Sequence, residues 1–359
     1  MNRLNSLSCK FLVAAASCLW AGAAAAEPAD PPAPAPEAAP AETSATASTD
    51  ASASTATASA TTDAATPAEQ TPPAGEAAAA KKPAASAPYM LPFYLRGITP
   101  GTVVRLESTY AMYKVPAPVD KSGNTLTSVL TATYKVAPWI APIARVGLVR
   151  NSFNDESGMA ISNLGLGALF GVKLDPTMRL GFAAIATVPT GTGAGNDPDV
   201  KTATAMKSAG AARYAFDSSI YANNDTALIG GADFAYIDHG LTAQVEATIF
   251  QFMRIRGDEV QKDEKRTLLT SGLFLGYFVI PQLSLGAELR YSHWLSTPIA
   301  VEANDAARNN LSAGGGVRGH FKFGESVWFR PGLSYHQALD EPISESKYKY
   351  IQLDLPFAF

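Results

Sequence analysis

The sequence predicts an all-β chain: a closed antiparallel transmembrane β-barrel of about 12 strands, preceded by a signal peptide and a disordered Ala/Pro/Thr-rich segment. Three observations carry this. From Gly101 onward, short stretches alternate apolar and polar residues with period two. Tight turns and longer polar links alternate along the chain. The last stretch ends on Phe359 with apolar residues at every second place before it.

The N-terminus has the layout of an export leader. Arg3 and Lys10 flank an apolar run from Phe11 through Ala26, and Ala24-Ala25-Ala26 precedes Glu27 as a cleavage site. Both cysteines, Cys9 and Cys18, lie within residues 1–26, so the exported chain carries no thiol. It keeps 26 basic against 32 acidic residues, a net charge of −6, which argues against a nucleic-acid partner. No apolar run after the leader reaches the length of a spanning helix. Periplasm, cell exterior and outer membrane are the destinations left open.

Residues 27–88 are almost entirely Ala, Pro, Thr, Ser and scattered acids without an aromatic side chain. Such a segment buries too little apolar area to offset its ordering entropy and is expected to be disordered in the periplasm. Composition changes at Tyr89-Met90-Leu91-Pro92-Phe93-Tyr94, and 89–359 is expected to form the barrel.

The expected strands centre on 102–114, 124–136, 142–151, 162–174, 178–189, 226–237, 240–254, 265–280, 282–294, 308–323, 326–338 and 347–359. Each is about long enough to cross a bilayer when tilted. In 282–294, Leu283, Leu285, Ala287, Leu289 and Tyr291 share one face, and Ser284, Gly286, Glu288, Arg290 and Ser292 share the other. In 240–254, Leu241, Ala243, Val245, Ala247 and Ile249 oppose Thr242, Gln244, Glu246 and Thr248. Turns at 175–177, 238–240, 281–282 and 324–325 alternate with links 115–123, 152–160, 190–225, 255–264, 295–307 and 339–346. An even strand number puts both barrel ends on the short-turn rim, which is the periplasmic one in outer-membrane barrels.

Ile351, Leu353, Leu355, Phe357 and Phe359 alternate with polar or small residues. This resembles the C-terminal recognition strand of Gram-negative outer-membrane barrels, which implies the cell outer membrane, its lipid and the barrel-assembly machinery as partners. The segment from Ile161-Ser162-Asn163-Leu164-Gly165-Leu166-Gly167 through Val188-Pro189-Thr190-Gly191 is similar to a family of outer-membrane proteins named after a phenol meta-degradation pathway. That resemblance implies a transporter-like barrel, with hydrophobic compounds as a substrate class.

Tyr110, Tyr134, Tyr277, Tyr291 and Tyr335 fall near strand ends, where an interfacial girdle belongs. Inward rows hold many glycines, including Gly165, Gly167, Gly171, Gly272, Gly276, Gly314 and Gly316, which let the wall coil tightly or leave room in the lumen. Counting heights from the turns collects Arg105, Glu107, Asp233, Glu246, Glu288, Arg290, Arg318, Arg330 and Asp354 into one inward belt. Two readings stand: a self-neutralising network that fills the lumen, or a charged constriction that selects solutes.

Enzymatic and metal chemistry find little footing. The four histidines are scattered, and no cofactor or metal is expected. Tyr291-Ser292-His293-Trp294 brings a serine beside a histidine, but no third group orients the histidine, as the lipid hydrolases of this barrel size require. Within 190–225, Ala203 to Phe216 is expected to include helix and to fold inward as a partial plug or gate, and Asp197, Asp199, Asp217 and Asp225 lack a calcium spacing. The expected function is a passive channel or transporter for small solutes, not an enzyme. The alternative is a non-conducting tether whose Ala/Pro-rich arm contacts the cell wall or a partner. The sequence names neither solute nor oligomeric state.

Overall fold

The computed structural model describes residues 88–213, 217–257 and 263–359. The leader over 1–26 and the low-complexity segment over 27–87 lie outside the described residues. Strands dominate the rest. They are β1 (Val103–Lys114), β2 (Ser122–Thr133), β3 (Ile140–Phe153), β4 (Glu156–Ile161), β5 (Leu164–Lys173), β6 (Met178–Val188), β7 (Asp225–Asp238) and β8 (Leu241–Arg254). After them come β9 (Lys265–Ile280), β10 (Leu283–Trp294), β11 (Asn309–Gly319), β12 (Phe321–Phe323), β13 (Val327–Phe329), β14 (Gly332–Ala338) and β15 (Lys349–Ala358).

These fifteen segments make twelve staves. β4 and β5 both pair with β3 and form one stave interrupted at Ser162-Asn163. β11 and β12 make another, broken at His320, and β13 and β14 a third, broken where Pro331 has no N–H to give a ladder. Every pairing is antiparallel, and β1 pairs with β15 from Val103↔Ala358 to Met112↔Lys349, which closes the ring. The chain is a closed twelve-stranded antiparallel barrel. Twelve residues of β1 at about 3.3 Å each, tilted by about 40°, rise about 30 Å, enough to cross a bilayer core.

Period two sorts the side chains. Val104, Leu106, Leu130, Leu148, Phe182, Val245, Leu275, Leu289, Leu333 and Leu353 stand exposed on the outer wall, as do all five girdle tyrosines. A closed ring with this exterior suits lipid, because each peptide group finds its partner in a neighbouring stave. On the terminal strand Ile351, Leu353, Phe357 and Phe359 are exposed outward, while Leu355 is half-buried on the same face.

The short-turn rim carries the links at 174–177, 239–240, 281–282 and 324–326. On the opposite rim one expected loop is absent. The span 152–160 is a hairpin whose only turn residues are Asn154 and Asp155, both at positive φ (52° and 65°), the geometry of a tight primed turn. Residues 88–98 add no strand to the wall but enter the lumen, and Gly101-Thr102 bond to the strand ends at Thr133 and Phe359.

Candidate functional site: a lumen filled from both ends

Residues 88–98 form a re-entrant loop. The chain enters at the short-turn rim, where the Met90 N–H donates to Thr242 Oγ1 (3.1 Å) at the foot of β8. It climbs to Phe93 and Tyr94 at mid-height and returns through Arg96 and Ile98 to β1, with the Ile98 N–H donating to the Tyr89 hydroxyl (3.3 Å) across the mouth of the loop. Met90, Phe93 and Leu95 are fully buried and cluster with Phe274.

Backbone outside a sheet must find other partners at this depth. The wall supplies them from opposite sides. Glu288 accepts the N–H of Phe93 (2.6 Å) and of Tyr94 (3.2 Å). Arg105 Nη2 donates to the carbonyls of Pro92 (3.0 Å) and Phe93 (2.5 Å), Arg318 Nη2 to Pro92 (3.2 Å), and Gln352 to Phe93 (2.9 Å). Gln244 donates to the Arg96 carbonyl (2.8 Å), and Glu246 accepts the Arg96 N–H (2.8 Å).

The inward glycines are the seat of this loop. A Cβ at Gly276 would run into Met90, and one at Gly171 into Pro100 and the Ile98 carbonyl. The room foreseen in the Gly-rich rows is occupied by the chain itself.

The upper lumen holds the long link. It contains α1 (Val200–Ala212) and α2 (Ser218–Tyr221). Asp199 caps α1, accepting from the Thr202 N–H (2.8 Å) and hydroxyl (2.7 Å). Ala205, Met206 and Ala209 pack on Val129, Val149 and Ala160 of the inner wall, their small side chains letting the helix lie close to it. The break in the fourth stave serves this link. Asn163, fully buried, donates to the Ala222 carbonyl (2.8 Å), accepts the Gly191 N–H (2.9 Å), and gives its own N–H to the Ile220 carbonyl (2.7 Å).

The nine residues of the expected belt all face inward, eight of them buried and Arg330 half-buried. Asp354 sits between Arg105 (2.7 Å) and Arg318 (2.5 Å), and Arg105 also reaches Glu107 (3.3 Å). Asp233 and Glu246 meet Arg96 of the re-entrant loop (3.3 and 3.4 Å). Arg290 lies 4.3 Å from the Tyr94 ring centre, and Arg330 lies 5.2 Å from that of Trp328.

Several residues that matter here were not singled out in the sequence: Arg96, Arg145, Arg213 and the Tyr94 ring. Arg213 pairs with Asp217 and Glu107 (3.5 Å to the latter), while Arg145 bridges to Asp217 (2.7 Å) and Glu107 (3.8 Å). Burial alone would raise the Asp217 carboxyl, but Arg145 and Arg213 outweigh it and hold it well below the usual carboxylate range. An arginine directly after a helical Ala-rich run was the available signal for Arg213.

Three of the four loop acids have protein neighbours. Asp199 caps a helix, Asp217 holds two arginines, and Asp225 pairs with Arg266 and Arg254. No group of three metal-ligating side chains is present among the described residues. Ser292 points inward whereas His293 points outward to Asn309 (2.7 Å), so the two do not form a nucleophile and base. His320 hydrogen-bonds Ser284 (2.7 Å) low in the lumen, with Arg318 and Arg330 rather than a carboxylate as its charged neighbours.

Closed ring, apolar exterior and an interior that mixes buried charges with apolar clusters define a β-barrel of the outer-membrane class whose lumen is filled by its own chain. Among solved structures the chain is similar to an outer-membrane channel from Pseudomonas putida F1, at 13% identity and TM-score 0.49, over 77% of this chain and 99% of that one. It is also similar to the NanC porin, at 6% identity and TM-score 0.41, over 71% of this chain and 98% of that one. A Pseudomonas aeruginosa FadL homologue matches at 10% identity and TM-score 0.34, over 72% of this chain and 90% of that one. No family model and no curated protein matches the sequence, so the resemblance of 161–191 to the phenol meta-degradation family gains nothing from them.

Proposed function

We propose that this protein is a passive outer-membrane channel for small solutes, oriented with its short turns in the periplasm and closed at rest by residues 88–98. The observation that carries the reading is the path of that loop. It enters and leaves by one rim, so withdrawing it breaks no stave, and the wall it would uncover carries Glu288, Arg105, Asp233 and Glu246 beside the apolar Phe274, Ala235 and Ile237. The link carrying α1 narrows the lumen from outside. Outer-membrane lipid and the barrel-assembly machinery are the partners this placement requires.

The test is planar-bilayer recording of the mature chain. Discrete, brief conductance steps are expected from the purified protein. Silence at many copies per membrane, under any applied voltage, contradicts the reading.

A further inference from the structure

Arg96, which lies outside the sheet, occupies a site on the inner wall that is built for a cation. Asp233 and Glu246 face each other on neighbouring staves, in register, and are 4% and 5% exposed. Arg96 Nη2 lies 3.3 Å from Asp233 Oδ2, and Nη1 lies 3.4 Å from Glu246 Oε1 and donates to Thr248 Oγ1 at 2.7 Å. Gly231 forms the floor, because a Cβ there would collide with the guanidinium. Asp233 Oδ1 is buried with no hydrogen-bond partner, so the acceptor set is larger than Arg96 uses.

Two carboxylates this close and this buried cannot both stay charged without a cation. Withdrawing the loop removes the Arg96 charge, so that one of the two must take up a proton or remain uncompensated, and either outcome costs free energy. A solute that brings its own cation to the same place removes that cost. Because Arg96 and the solute exclude each other, binding of the solute favours the withdrawn loop by mass action.

We propose that Asp233, Glu246 and Thr248, on the Gly231 floor, form a binding site for a solute bearing a guanidinium or primary ammonium group, which Arg96 holds as an internal stand-in. This rests on the channel reading: arrival of such a solute opens the lumen by displacing Arg96. Planar N–H forks match paired carboxylates, whereas a quaternary ammonium offers no N–H to the Thr248 hydroxyl or the carboxylates.

The experiment uses the full mature chain with agmatine as probe, and choline and glutarate as controls. In planar bilayers, millimolar agmatine on the periplasmic side is expected to raise open probability about tenfold, with no response to either control. Asp233→Asn and Glu246→Gln are expected to lose that response. In detergent, agmatine is expected to raise the unfolding midpoint of Arg96→Ala, whose site is vacant, and to leave Arg96→Ala/Asp233→Asn unmoved. Equal responses to agmatine and choline, or an undiminished response in both carboxylate variants, overturn the proposal. If all proteins are silent in bilayers, the channel reading falls and the detergent arm alone decides the site: a midpoint of Arg96→Ala unmoved by agmatine rejects it.

Discussion

The Arg213 guanidinium stands 5.1 Å from the centre of the Tyr94 ring. One residue ends the helix that descends from the long-link rim, and the other is the apex of the loop that rises from the short-turn rim. They are the contact between the two bodies filling the lumen. His336 meets the same ring edge-on with centroids 4.6 Å apart.

That contact should couple the two fillings. A cation over an aromatic face, desolvated, is worth about 1–2 kcal/mol. In a double-mutant cycle of Tyr94→Leu and Arg213→Gln, read by chemical unfolding in detergent, the coupling is expected to be of that size. Additive effects, within about 0.5 kcal/mol, contradict a direct contact.

Glu288 anchors the loop through two backbone N–H groups. Hydrogen bonds to a charged acceptor contribute about 1.5–3 kcal/mol each. Glu288→Gln keeps the shape and weakens both, so longer open times in bilayer recordings are expected, with the barrel still resistant to sodium dodecyl sulfate before heating. Unchanged open times mean that Glu288 does not hold the loop.

Docking of the long link should survive mild acid. A carboxyl whose folded value is depressed contributes stability above its unfolded pKa of about 4, and loses it only as pH falls through the folded value. With Asp217 held low by Arg145 and Arg213, protease protection of 190–224 is expected to be flat from pH 8 down to about 4 and to fail in stronger acid. Asp217→Asn, which leaves Arg145 and Arg213 to share the more distant Glu107, is expected to cost about 3 kcal/mol and to expose the link at neutral pH.

Asn163 ties the broken stave to that link by three hydrogen bonds. Asn163→Ala leaves the buried Gly191 N–H unsatisfied, at about 1–3 kcal/mol, and removes the side-chain bond to Ala222. Faster proteolysis between Thr190 and Asp225 is expected, with strand content by circular dichroism unchanged.

Strand positions were legible because one face meets lipid and the other the lumen, a contrast that period two records directly, as in 283–294. The closing pairing of β1 with β15 follows once the staves are counted. The hairpin at Asn154-Asp155 was read as a loop because its polar residues resemble any exposed link, and the positive φ that makes it tight is not visible in composition. The re-entrant loop was illegible for a different reason. Met90, Phe93 and Leu95 follow no period, since each packs over a glycine of the wall, and aperiodic apolar residues beside a barrel look like the start of its first strand. The belt charges could be placed inward by counting, but their partners Arg96 and Arg213 lie on segments whose path only tertiary structure fixes.

The most direct measurement locks the loop in place. Leu95 and Gly272 face each other so closely that a Cβ at 272 would lie 3.1 Å from Leu95 Cγ, within reach of a disulfide between Leu95→Cys and Gly272→Cys. Single-channel recordings of this double variant should be silent when oxidised and regain conductance steps on adding reductant, at or above the wild-type open probability. Equal conductance in the oxidised and reduced forms, with the cross-link verified by mass spectrometry, would contradict closure of the lumen by residues 88–98.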